Sequence, residues 1–174
     1  MTLFEKADYL NSDKARNRFN TDEDDYNCGG YSLNTFNWYY PYFEKELSRE
    51  EEIVEYHDKG FSVEDMYQIF LQEDLTQMKK DFPSLKVCKK NQPLKKGQRI
   101  VAYRIYIIDD GEDSCHNLEE EDWVDCDFHY RFRNYGENFW REKQGWHETV
   151  KIPKDEEDYW GDYDSEIIYF TIEI

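Results

Sequence analysis

Two periods of hydrophobic and polar residues run along this chain, helical in the first half and alternating in the second. From Val63, the apolar residues Met66, Ile69, Phe70, Met78 and Phe82 fall on one stripe, and Pro83 comes directly after it. That predicts a helix ending before the proline. Ser48 with Glu51 has the form of a capping box, and Gly60 supplies a stop signal, so a short acidic helix is expected over Arg49 to Asp58. Ser62 with Asp65 repeats the start signal less perfectly. Upstream, Cys28-Gly29-Gly30 suits a tight turn where backbones approach closely, and the aromatic run Tyr31 to Tyr40 predicts a helix stopped at Pro41. Cys28 then stands at or just before that helix's N-terminus. Met1 to Asp25 reads as a polar lead, with a short helix over Phe4 to Leu10 and an acidic run from Asp22 to Asp25.

After Pro83 the period changes. Leu85 to Cys88 alternates briefly, and Ile100 to Ile108 reads as a largely buried strand. Asp109 to Asp125 is an acidic loop. Phe128 to Phe132 alternates, so His129 and Arg131 share one face while Phe128, Tyr130 and Phe132 share the other. Asn134 to Gly136 and Gln144-Gly145 read as turns around a short strand at Phe139-Trp140, with further strands at His147 to Ile152 and Ile167 to Ile172. Helices first and antiparallel strands afterwards is an α+β order, and 174 residues make one domain.

The formal net charge of -18 changes the picture of what such a domain meets. Its field repels nucleic acid and anionic membrane and attracts basic partners. The charge is uneven: Lys79 to Arg104 holds nine Lys or Arg and one acid, whereas Ile105 to Tyr130 holds ten acids and no Lys or Arg. Aromatic content of 18% argues against disorder. No apolar run approaches the ~20 residues of a membrane span, and the first residues lack a signal peptide's apolar core, so a cytoplasmic chain with reduced thiols is expected.

The chemistry sits in two islands, Tyr26 to Leu33 and Asp127 to Arg131. A free thiol with a pKa of about 8.5 becomes a nucleophile when a helix N-terminus and an imidazolium stabilise its thiolate. Cys28 opens a helix and His129 lies on a strand, the two parts of a thiol nucleophile and its base. Asn27 and nearby backbone amides are candidate donors to an oxyanion hole, and the acid Asp127 stands two residues before the histidine. A third group to hold the imidazole's far nitrogen has four candidates: Asn134, Asn138, Glu142 and Glu148.

Asn27-Cys28-Gly29-Gly30-Tyr31-Ser32-Leu33, then Asp127-Phe128-His129-Tyr130-Arg131, then Trp140 to Gly145, together resemble small papain-like proteins of phages and Gram-positive bacteria. Those proteins carry an NCxxYAL helix start and a DFHxYR…W…K…G strand pair; here Ser32 replaces the alanine. The resemblance implies a papain-like α+β fold with Cys28 as nucleophile and His129 as base. It also makes Tyr31, Arg131, Trp140 and Lys143 candidates for binding, although Arg131 and Lys143 are expected to pair with surrounding acids rather than to act directly. It implies no cofactor and no particular substrate.

Two other sites compete. Cys115, His116, Cys126 and His129 form a thiolate and imidazole set of the kind zinc prefers, but their spacing matches no finger. The acids of the 109–122 segment lack the pattern of an EF-hand. Charge, small size and aromatic-studded acidic segments together fit a different function class: a non-catalytic phage-type inhibitor, anti-CRISPR or anti-restriction, imitating DNA toward a basic nucleic-acid enzyme such as a Cas nuclease. Its acidic surface would be Asp109, Asp110, Glu112, Asp113, Glu119, Glu120, Glu121 and Asp122.

Overall fold

The computed structural model describes residues 26–35, 38–42, 45–109, 124–143 and 149–174. Among them, helices come first: α1 (Cys28–Ser32), α2 (Arg49–Asp58) and α3 (Val63–Asp81). The strands come after: β1 (Lys86–Cys88), β2 (Gln98–Asp109), β3 (Val124–Asn134), β4 (Arg141–Lys143), β5 (Thr149–Lys151) and β6 (Ile168–Glu173), with a 3-10 turn at Lys154–Glu156. They form one six-stranded sheet in the order β1-β6-β2-β3-β4-β5. Every neighbouring pair is antiparallel, so the α+β order expected from the pattern is the observed one.

Both predicted capping boxes form at the starts of α2 and α3, with Ser48 and Ser62 accepting from the backbone three residues on. Alternation sends Val101, Tyr103 and Ile105 of β2, with Phe128, Tyr130 and Phe132 of β3, into a core shared with Met66, Phe70 and Met78 of α3. The opposite face is covered too, by Trp140, Ile152 and Trp160 packed over Ile100 and Ala102. That double cover explains why β2 reads as an unbroken apolar run. Within the helical layer, Arg49 donates to Asp74 at 2.6 Å, and Tyr103 Oη donates to the other carboxylate oxygen at 2.6 Å, tying α2, α3 and β2 together.

Register then places the chemistry. His129 lies opposite Arg104, Arg131 opposite Ala102, and Glu142 of β4 opposite Arg131. A slip of one residue would turn His129 to the helical face.

Some expected boundaries differ. The aromatic run does not continue the first helix, which ends at Ser32. Asn34 turns the chain with φ 66°, in the left-handed region, and Tyr39, Tyr40 and Tyr42 pack onto the core as loop residues. The strand expected at Phe139-Trp140 begins two residues later, at Arg141, and Trp140 packs into the second core. Asp109 ends β2 and Asp125 belongs to β3, so both strands run further than predicted. The polar lead with its Phe4 to Leu10 helix, the turn at Gln144-Gly145, Cys115 and His116, and the acids Asp110, Glu112, Asp113, Glu119, Glu120, Glu121 and Asp122 lie outside the described residues. No helix among the described residues is long and apolar enough to cross a membrane.

Candidate active site

A helix as short as α1 does not hold together by its own hydrogen bonds. Three groups fix it. Asn27 is its N-cap: Oδ1 accepts from Gly30 N at 2.8 Å and from Tyr39 N at 3.1 Å, while Nδ2 donates to Tyr39 O at 2.9 Å. Gly29 allows that loop to close, since a Cβ there would stand 3.0 Å from Tyr39 O and 3.2 Å from the Tyr130 ring. At the other end, Arg99 of β2 donates to Tyr31 O at 3.0 Å and Ser32 O at 2.8 Å, and its Nε donates to Asn134 Oδ1 at 2.8 Å. A buried guanidinium thus satisfies the carbonyl end of the helix that carries Cys28.

Cys28 meets His129 here. The imidazole Nε2 lies 2.8 Å from Glu142 Oε2, and the ring is also within reach of the Cys28 side chain, with which it lines the same cleft. Burial disfavours the charged imidazolium, but the bonds to Cys28 and Glu142 outweigh it and raise the His129 pKa from 6.5 to about 9. Glu142 shows the counterpart: burial pushes its carboxyl up, and His129 with Arg131 brings it below the usual carboxylate range. Neutral solution therefore holds an imidazolium between a sulfur and a carboxylate. Arg131 Nε donates to Glu142 at 2.9 Å, so the carboxylate is oriented from two sides.

Of the other described thiols, burial raises the pKa of Cys88, and burial with the Glu50 carboxylate raises that of Cys126.

A cleft of about 740 Å³ opens over the pair. Cys28, Trp38 and Tyr40 form one wall, and Tyr159, Trp160 and Tyr163 the other. Arg131 pins this second wall, donating to Glu157 O at 3.0 Å and Tyr159 O at 2.6 Å with its guanidinium 4.1 Å from the Trp160 ring centre. Asp127 lies one step along the same strand face as His129, accepting from Tyr163 Oη at 2.8 Å and from the Phe128 N–H at 2.8 Å.

The structure thus brings Cys28, His129 and Asn27 together, but gives the Asn27 side chain to capping and to the Tyr39 loop. One hydrogen of Nδ2 is thereby used, while Asn27 still lines the cleft beside Cys28. Of the four candidates for the third position, Glu142 is the one on the imidazole; Asn134 serves Arg99, and Glu148 lies outside the described residues. Arg131 lines the cleft, whereas Tyr31, Trp140 and Lys143 do not. Tyr31 is buried edge-on against Phe132 at 4.8 Å, Trp140 belongs to the second core, and Lys143 is buried with its ammonium 5.1 Å from the Tyr26 ring. The pairing expected for Arg131 with an acid is met by Glu142. His129 is committed to Cys28 and Glu142, and among the described residues no group of three or more His, Cys, Asp or Glu is placed to hold a metal ion.

Sequence reasoning missed Arg99 and the wall from Tyr159 to Tyr163. The only signal was aromatic residues, Tyr159, Trp160 and Tyr163, inside an otherwise polar stretch. No family model, no curated protein and no solved structure matches the chain.

Proposed function

We propose that this protein is a papain-like cysteine hydrolase or acyl-transfer enzyme, with Cys28 as nucleophile assisted by His129 and Glu142. The observation that carries the proposal is the imidazole set between the Cys28 side chain and the Glu142 carboxylate at the base of an open cleft. In the proposed reaction the Cys28 thiolate attacks the carbonyl carbon of an amide or ester. A C–S bond forms, and the carbonyl electron pair moves onto oxygen. His129 gives its proton to the leaving nitrogen or oxygen as that bond breaks, leaving a thioester. Water, or another acceptor, gives a proton back to His129 as it displaces the sulfur. Glu142 keeps the ring oriented and favours its charged form. The N–H groups of Cys28 and Gly29, the first of α1, have no intrahelical acceptor and are the candidate donors to a developing oxyanion, since that of Gly30 is taken by Asn27 Oδ1.

The sequence resemblance to papain-like proteins supports the same reading, and the order of helix and sheet agrees with it. Support for an acidic inhibitor of a basic enzyme comes from the net charge of -18, the small size and the aromatic-studded acidic segments. None of these gives a reason for a sulfur, an imidazole and a carboxylate to meet in a cleft.

The test is the alkylation rate of each cysteine by iodoacetamide against pH, read by mass spectrometry, on the native protein and on His129→Ala. At pH 6.5 an ordinary thiol is only about one per cent thiolate. Cys28 is expected to react at least about tenfold faster than Cys88 and Cys126 there, and to lose that advantage in His129→Ala. Equal rates, or an advantage that survives the loss of His129, would remove the enzyme reading and direct attention to basic protein partners.

A further inference from the structure

Resting on that reading, charge in the cleft narrows the substrate. Among the described residues lining it, the cations are His129 and Arg131, and both are turned onto Glu142. A thiolate at Cys28 with Glu142 therefore balances the imidazolium with the guanidinium, and the reacting cluster has no net charge. Three further carboxylates line the same cleft: Asp127, Glu156 and Asp162. All three side chains are exposed, Asp127 is bonded only to neutral donors, and no cation in the cleft answers them. All three line the cleft that Cys28 and His129 line, and Asp127 sits two residues before His129 on the same strand face. The walls add aromatic faces suited to a cation, with Trp38 and Tyr40 stacked at 6.1 Å and Tyr159 open to solvent.

We propose that the cleft selects a peptide with a lysine or arginine side chain beside the carbonyl that Cys28 attacks. The side chain's stem would lie along the aromatic wall while its charge meets Asp127, Glu156 and Asp162. An acidic peptide would meet the same carboxylates as repulsion, so discrimination works in both directions.

The test uses three peptidyl acyloxymethyl ketones that differ in one side chain: lysine, norleucine or glutamate. The thiolate displaces the acyloxy group, forming a C–S bond while a carboxylate leaves, so Cys28 labelling is read by intact mass. The expected order of rates is lysine, then norleucine, then glutamate. Each exposed carboxylate is worth about a factor of two, so the triple change Asp127→Asn, Glu156→Gln, Asp162→Asn should lower the lysine to norleucine ratio roughly tenfold. A control triple on α2 and α3, Glu55→Gln, Asp58→Asn and Glu64→Gln, removes the same charge away from the cleft and should leave the ratio near its native value. Equal rates for the three probes, or an equal fall in both triples, would overturn the charge selection while leaving the dyad intact. If Cys28 is labelled by none of them and is also inert to iodoacetamide, the enzyme reading fails and this inference goes with it.

Discussion

Replacing Glu142 with Gln isolates one of the two groups that favour the charged form of His129. The carboxylate oxygen is 2.8 Å from Nε2, and glutamine keeps the size and an acceptor while removing the charge. Raising the histidine pKa from 6.5 to about 9 corresponds to about 3 kcal/mol in favour of the imidazolium. Two unit charges about 4 Å apart attract by about 4 kcal/mol at an effective dielectric of 20, so Glu142, beside the Cys28 bond, is a large enough influence for its loss to be read in the titration. Burial is then left as the main influence, with the Cys28 bond opposing it, and His129 should titrate back towards 6.5. Long-range proton–nitrogen NMR of the imidazole across the pH range reads this directly. Stability should change in parallel. A pKa raised on folding contributes fully below the unfolded value and is lost as pH rises through the folded one, here from 6.5 to about 9. Urea unfolding should therefore show the native protein losing roughly 2 to 3 kcal/mol more than Glu142→Gln across that window. A histidine that titrates in the variant within about half a pH unit of its native value would refute the reasoning, since an effect of this size cannot leave the titration there.

Two further substitutions test how α1 is held. Gly29→Ala improves helix propensity by about 1 kcal/mol, but its new Cβ meets the Tyr39 carbonyl at 3.0 Å, so we expect a net loss of about 1 to 2 kcal/mol and slower Cys28 alkylation. A raised Tm would show that the loop yields and that the close approach is not needed. Arg99→Met keeps an apolar stem over the Phe132 ring but abandons the carbonyls of Tyr31 and Ser32 and the Asn134 side chain. Unfolding in urea should show a loss of about 2 to 4 kcal/mol, and a change under about 0.5 kcal/mol would contradict the capping role.

How much of this was legible in the sequence depends on how local the cause was. Capping boxes and the stripe from Met66 to Phe82 are written in residues a few positions apart, and α2 and α3 formed where the pattern placed them. The alternation of Phe128 to Phe132 likewise gave the face of His129, since a strand's period leaves only two choices. The end of α1 was not legible, because it is set by Arg99, 67 residues beyond Ser32, and by the Asn27 side chain clasping Tyr39. Nor was the choice of Glu142 among four candidates, which needed the register of β4 on β3. Trp140 misled for a related reason: its position in a motif said nothing about which of two cores would take it.

The nucleophile itself rests on the least self-sufficient element in the molecule. Five residues of helix, including two glycines, have neither the length nor the propensity to form alone. Their conformation is imposed from outside, by a cap from Asn27, a guanidinium from β2 and the ring of Tyr130 packed against Gly29. His129 is fixed by the same sheet, one residue before Tyr130 on β3 and paired with Arg104 of the strand that carries Arg99. Sulfur and imidazole are thus both referred to β2 and β3, the central pair of the sheet, and a distortion of that pair would move them together. The opposite wall, which has no strand between Lys151 and Ile168, is held by side chains: Arg131, the Tyr163 bond to Asp127, the Tyr67 bond to Asp164, Trp160 in the second core, and the Ser165 contacts to Arg104 and Ile105. Opening of the cleft to admit a peptide should therefore come from the Tyr159 to Tyr163 side, leaving the geometry between Cys28 and His129 unchanged. Hydrogen exchange that shows amides of residues 28–32 exchanging faster than those of 159–163 would reverse that order of rigidity.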